Sequence, residues 1–179
     1  MKILSVLAFV ALMLASGATD AKAQDTQDRL ASLPGAPAAA PVQPSASDDA
    51  PYPASLLAAI GLSRLEVDGI RHVVRGQIRA LAARDSDTAF SHLTPVIQDY
   101  FADPAAFEKS LLKNAWPMLA VKTFAFADIG REATDAVQKV VLTDTQDNRW
   151  MATFKLQRQP DGRWAIQGCF VGPLKDRPV

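Results

Sequence analysis

The stretch KNAWPMLAVKTFAFADI, Lys113 to Ile129, holds the change of rhythm that decides the fold. Before it, apolar residues recur every three or four positions; after Pro117 they fall on every second one. The first spacing covers one side of a helix, the second one face of a strand. Pro117 marks the boundary, because proline has no amide hydrogen to continue a helical ladder and disfavours helix in the residue before it.

Upstream, the longest helical pattern opens at SRLE, where Ser63 and Glu66 have capping-box spacing. Val67, Ile70, Val74, Ile78 and Leu81 make its apolar stripe, with Asp68, Arg71, His72, Arg75 and Arg79 largely on the other side. Gln77 falls between Ile70, Val74 and Leu81, in the middle of the stripe, where a buried amide needs partners. Shorter helices are expected at DTAFSHL after Asp85 and Ser86, at PVIQDYF after Thr94, and at PAAFEKSLLKNA after Asp103, the last two with proline in the first helical position.

Downstream, alternation runs over Thr123–Ile129, Ala136–Asp144, Trp150–Gln157 and Arg163–Val171. Short polar links, including the turn Pro160-Asp161-Gly162, make these an antiparallel meander. Trp150, Ala152, Phe154 and Leu156 share one parity, as do Trp164 and Ile166, and both sets should face the helices. The expected class is therefore α+β, with helices packed on the concave face of a curved four-stranded antiparallel sheet, over residues 63–172.

The rest of the chain reads differently. Residues 1–23, MKILSVLAFVALMLASGATDAKA, have the basic start, apolar run and small-residue end of a secretory signal peptide, so a periplasmic or secreted protein is expected. The apolar run is shorter than the ~20 residues that cross a bilayer. Residues 24–62 read as a spacer rich in Pro, Ala and Ser, too poor in large apolar side chains to order itself. Its last part, 54–62, carries Leu56, Leu57, Ile60 and Leu62 and is expected to pack on its own domain, with a docking peptide as the alternative. Residues 173–179 are a tail. Removing Lys2, Lys22 and Asp20 with the leader leaves one more acidic than basic side chain. That balance gives no electrostatic case for nucleic acid or, after cleavage, for a membrane surface.

Three segments, VVRGQIRAL (Val73 to Leu81), FADPAAF (Phe101 to Phe107) and RQPDGRWAIQGC (Arg158 to Cys169), resemble the bacterial family called domain of unknown function 4864. The order of helices then sheet resembles the wider nuclear-transport-factor-two-like, or cystatin-like, group, which implies a cone whose helices cover the sheet. The family implies no reaction and no cofactor.

Within such a cone the pocket candidates are Gln77, Tyr100, Trp116, Phe124, Phe126, Trp150 and Trp164. An inward amide and a ring of aromatics suit a small apolar ligand, although aromatics at these spacings also build cores. Asp128 follows the parity of Phe124 and Phe126. Facing inward it could act as a base with Tyr100 or Gln77 as donor, as in ketosteroid isomerase, which resembles this fold; as a strand-end residue it would be solvated. Cys169, the single cysteine, lies outside by strict alternation, whereas a bulge near Gly168 would turn it inward. It is a small core residue, an intermolecular thiol or a nucleophile, and no neighbour clearly supplies the cation the last role needs. His72 and His92 are isolated, and Asp144 and Asp147 suit a turn better than calcium, so no metal site is expected. Three functions follow: a non-enzymatic module binding a small apolar ligand or an envelope protein, an isomerase or dehydratase using the cavity, or a homodimer joined through Val137, Val141 and Met151 on the outer sheet face.

Overall fold

The computed structural model describes residues 43–44 and 52–174. The expected leader, most of the expected disordered spacer and the last five tail residues lie outside the described residues.

Helix α1 (Ala54–Ile60) is followed by the long α2 (Arg64–Ala82), then α3 (Ser86–Ser91), α4 (Pro95–Phe101) and α5 (Pro104–Asn114). The capping box forms as read: Ser63 accepts from the Glu66 amide while Glu66 accepts from the Ser63 amide. Asp85 and Asp103 cap α3 and α5 by accepting from the amides of Thr88 and Ala106. These bonds satisfy amides that the first helical turn leaves without partners. After Asn114 the chain makes a single 3-10 turn, Trp116–Leu119, and then enters the sheet.

Four long strands, β2 (Val121–Glu132), β3 (Asp135–Asp144), β4 (Arg149–Arg158) and β5 (Trp164–Pro173), pair antiparallel in chain order. A two-residue strand from the spacer, β1 (Gln43–Pro44), adds to the edge of β2 in parallel, opposite Thr123 and Phe124, so the sheet has five strands where four were expected. Tyr52 donates its hydroxyl hydrogen to the Ala127 carbonyl, and Leu57 and Leu62 are buried, so the apolar segment ahead of Ser63 packs on the domain.

One face of the sheet is dry. Ala136, Val140 and Leu142 on β3 and Ala152, Phe154 and Leu156 on β4 are fully buried against Ile70, Val74, Ile78 and Leu81 of α2. Truncating an aromatic as enclosed as Phe154 to alanine would cost about 3–5 kcal/mol.

Three register shifts break the strict alternation: one at the start of β2, between Val121 and Thr123, and two that bear on the candidate residues. Between Phe126 and Ile129, β2 carries one residue more than β3, and the amide of Gln138 donates to the Asp128 carbonyl at 3.0 Å across the irregularity. On β5, Gln167 is the extra residue between the pairs Lys155–Gly168 and Leu156–Ile166. Each bulge moves every later side chain on its strand to the opposite face.

Candidate functional site

The bulge in β2 decides the case of Asp128. Its side chain is 80% exposed and pairs with Lys139 at 3.3 Å, and Ile129 takes the inward place. Lys139 lies between Gln138 and Val140, which are inward, so this ion pair is on the outer face. The desolvated base that isomerase chemistry requires is not there.

The bulge in β5 acts in the other direction. Cys169 stands opposite the buried Phe154 and lines an interior cavity with Gln77 and Gln167. Burial pushes its thiol well above the usual range, so the thiolate that nucleophilic or redox work needs is disfavoured.

That interior cavity lies between α2, α4, α5 and the end of β5 and measures about 50 Å³. One water needs about 10–15 Å³ of such space, and ligand pockets run to about 300–1,000 Å³. The space between helices and sheet is thus mostly filled by side chains. Gln77 is 3% exposed and lines the cavity, with its Oε1 buried and without a partner among the described residues. Tyr100 lies at the cavity's edge, half exposed and edge-on to Phe101.

The other candidates are placed elsewhere. Trp116 and Trp150 meet edge-on at 5.5 Å, and the indole of Trp150 donates to Asp144 Oδ2 at 2.9 Å. Asp144 also accepts from the amides of Gln146 and Asn148, which makes it the organiser of the β3–β4 turn. Burial would raise its pKa, but the bonds from Trp150, Asn148 and Gln146 outweigh that and hold it below the usual carboxylate range. Asp147 pairs with Lys122 at 2.7 Å. Phe124 is core, and Phe126 is half-buried beneath Arg71 and Arg75, whose guanidinium carbons lie 5.2 and 5.5 Å from its ring. Trp116, Trp150, Phe124 and Phe126 therefore do not line the interior cavity, a correction to their reading as a pocket set.

Trp164 forms the floor of something larger. A groove of about 470 Å³ runs along α2 between that helix, the end of α3 and the β4–β5 hairpin. Its walls carry Leu65, Val73, Trp164 and Ala165 as apolar surface, and Glu66, His72, His92, Arg158 and Arg163 as polar groups. Two glycines make it possible. A Cβ on Gly69 would stand 3.3 Å from Trp164 Cδ1, and one on Gly76 would stand 2.8 Å from His92 Cε1. Inside a helix each glycine costs about 1 kcal/mol relative to alanine, and here the space it leaves lets two rings seat against α2.

A non-local pairing sets His92 in place. Leu93 bridges Ile166 in parallel, with the Ile166 amide donating to the His92 carbonyl and the Thr94 amide donating to the Ile166 carbonyl, both at 2.9 Å. His92 Nδ1 is buried and has no partner among the described residues. Burial first, and then the positive field of His72, lower the pKa of His92, with Asp85 opposing, so its imidazole is neutral near pH 7. Neither histidine was read from the sequence as part of a site. The available signal was the seven-residue spacing of Gly69 and Gly76, two helical turns apart on the side opposite the core stripe. Among the described residues no group of three or more His, Cys, Asp or Glu side chains could hold a metal ion, and no helix is long and apolar enough to cross a membrane.

A helical layer on one face of an antiparallel meander defines an α+β protein whose class leaves its activity open. The family described as "Domain of unknown function (DUF4864)" matches residues 64–178, and the chain belongs to it. No curated protein matches. Among solved structures, the chain is similar to a DUF4783 family protein from Bacteroides ovatus ATCC 8483, with 13% identity, 56% of this chain and 94% of that one covered, and a TM-score of 0.39. It is also similar to a protein from Kribbella flavida DSM 17836, with 19% identity, coverage of 57% and 84%, and a TM-score of 0.37.

Proposed function

We propose that this chain is an exported, non-enzymatic module that binds a small molecule, and that the groove along α2 is its seat. One contrast carries the reading: the groove has the volume of a ligand pocket, whereas the interior has room for only a few waters. The wall is apolar with a few convergent polar groups, the usual composition of small-molecule sites. Catalysis has less support, because Asp128 and Tyr100 lie apart and Asp128 is solvated.

A fragment screen read by the indole and amide resonances of Trp164, Gly69 and Ala165 tests the seat. Binders are expected to move these signals and to leave those of Tyr100 and Met118 in place. Binders that move only the second set would return the site to the interior. Export rests on the pattern of residues 1–23. It is tested by the mass of the chain recovered from an envelope fraction, which should begin at Gln24.

One observation favours a second reading, the homodimer. On the outer sheet face Phe170 is 46% exposed and lies over Gly172, beside Met151 and Val141 of the neighbouring strands, an apolar strip that a second copy could cover. A monomer mass at micromolar concentration would remove it.

A further inference from the structure

We infer that the ligand of the groove is a small organic monoanion, an aryl or branched-alkyl carboxylate, with its charge at the Arg158–Arg163 end and its apolar body over Trp164. The inference rests on the groove being the seat and adds the ligand's chemical class.

The charges around the hairpin end decide it. Glu66, the carboxylate on the groove wall, is already engaged. Its Oε2 accepts from the amide and hydroxyl of Ser63 at 2.9 and 2.8 Å, and its Oε1 lies 3.5 Å from Arg131 and 3.4 Å from Arg158. Backbone and side-chain hydrogen bonds from Ser63 hold it below the usual carboxylate range, so it stays ionised and adds no acceptor to the groove. Glu66 with its two arginines carries one uncompensated positive charge, and Asp161 balances Arg163 at 2.7 Å. A single surplus cation suits one carboxylate better than a dianion or a neutral molecule.

The donors are present as well. A guanidinium has five N–H groups. Arg158 directs one Nη at Glu66, and Arg163 directs its Nε at Asp161, so among the described residues the outer Nη groups of both remain for a ligand. Both side chains stand at the rim, where they can meet a carboxylate without prior desolvation.

From that rim the floor continues over Trp164 and Ala165, between Leu65 and Val73, to Ser91 and the two histidines. This order, cations at one end and an apolar bed beyond, fits a molecule with a charged head and a hydrophobic body. A free phosphate or sulfate would leave the bed uncovered, and an alkane would leave the arginines unused.

The test is a titration of the isotopically labelled protein with phenylacetate, phenylacetamide and phenethylamine, three probes of one shape and different charge. Shifts are followed at the Trp164 indole, Gly69, Gly162 and Ala165. Phenylacetate is expected to bind about tenfold more tightly than the amide, the size of one charge-assisted hydrogen bond, and the amine more weakly than either. Arg158→Gln should remove the preference for the acid and leave amide binding unchanged. Equal binding of acid and amide would overturn the monoanion while leaving the groove as the seat. No response to any probe at millimolar concentration would overturn both. A preference for the acid that survives in Arg158→Gln and in Arg163→Gln would overturn the assigned head position.

Discussion

Gln77 is the residue at which the interior can be interrogated without a ligand. Its amide stands in the middle of the apolar stripe of α2, 3% exposed, with an Oε1 that no described donor reaches. Its neighbours in the cavity wall include Leu81, Phe154 and Ile166. Leaving a buried acceptor unsatisfied costs about 1–3 kcal/mol, and a leucine of similar volume removes that cost while adding apolar contact. Gln77→Leu is therefore expected to stabilise the protein by about 1–2 kcal/mol, the lower part of that range because the amide nitrogen still borders open space. For a domain of this size each kcal/mol moves the thermal midpoint by about 4–8 °C. Urea unfolding followed by tryptophan fluorescence, with a calorimetric melt beside it, measures both. Loss of 1 kcal/mol or more would refute the reasoning, since it would mean that the 50 Å³ space holds a water or ligand whose bonds to Gln77 outweigh the gain.

Gly76→Ala should lower stability by about 1–3 kcal/mol despite alanine's better helix propensity, because its Cβ would meet the His92 ring at 2.8 Å; urea unfolding checks this, and an increase would show that the ring moves freely. Asp144→Ala should cost about 2–4 kcal/mol, since it strips acceptors from Trp150, Asn148 and Gln146 at a site 1% exposed; an effect within error in a chemical melt would remove its role as turn organiser. The folded pKa of His92 lies below the ordinary 6.5, so the unfolded chain binds more protons. Stability should then fall as pH drops from about 7.5 to 5.5 and be flat above, and His92→Asn should lose that slope. Cys169, with its thiol held protonated by burial, should react with iodoacetamide at pH 8 far more slowly than a free cysteine until denaturant opens the fold. Labelling at the free rate would place the thiol at the surface.

The elements were legible because their causes are local. Three- and four-residue spacing produced α2, and alternation produced the four long strands, with Ala136, Val140, Leu142, Ala152, Phe154 and Leu156 inward as their parity requires. Gln138 was legible too as an even-parity residue, but its task was not, since the Asp128 carbonyl it bonds becomes available only where β2 bulges. The groove was less legible still. It depends on the Leu93–Ile166 bridge, a contact between segments far apart in the chain, and on glycines whose value lies in what packs against them. A pattern written in one segment cannot reveal a surface that two segments make only when they meet.

The two bulges explain why the candidate list sorted as it did. Alternation is a parity, and inserting one residue inverts the parity of everything beyond it on the strand. In β2 the inversion turns Asp128 out to Lys139 and Ile129 in, which exchanges a charge for an apolar side chain in the core. In β5 it brings Cys169 and Val171 opposite Phe154 and Ala152, two apolar positions that strict alternation would have left facing water. Both inversions move hydrophobic surface inward, and at roughly 25 cal/mol per Å² of area buried that gain offsets the ladder bond a bulge gives up. The same economy fills most of the interior, which is why the proposed seat is the groove along the glycine side of α2.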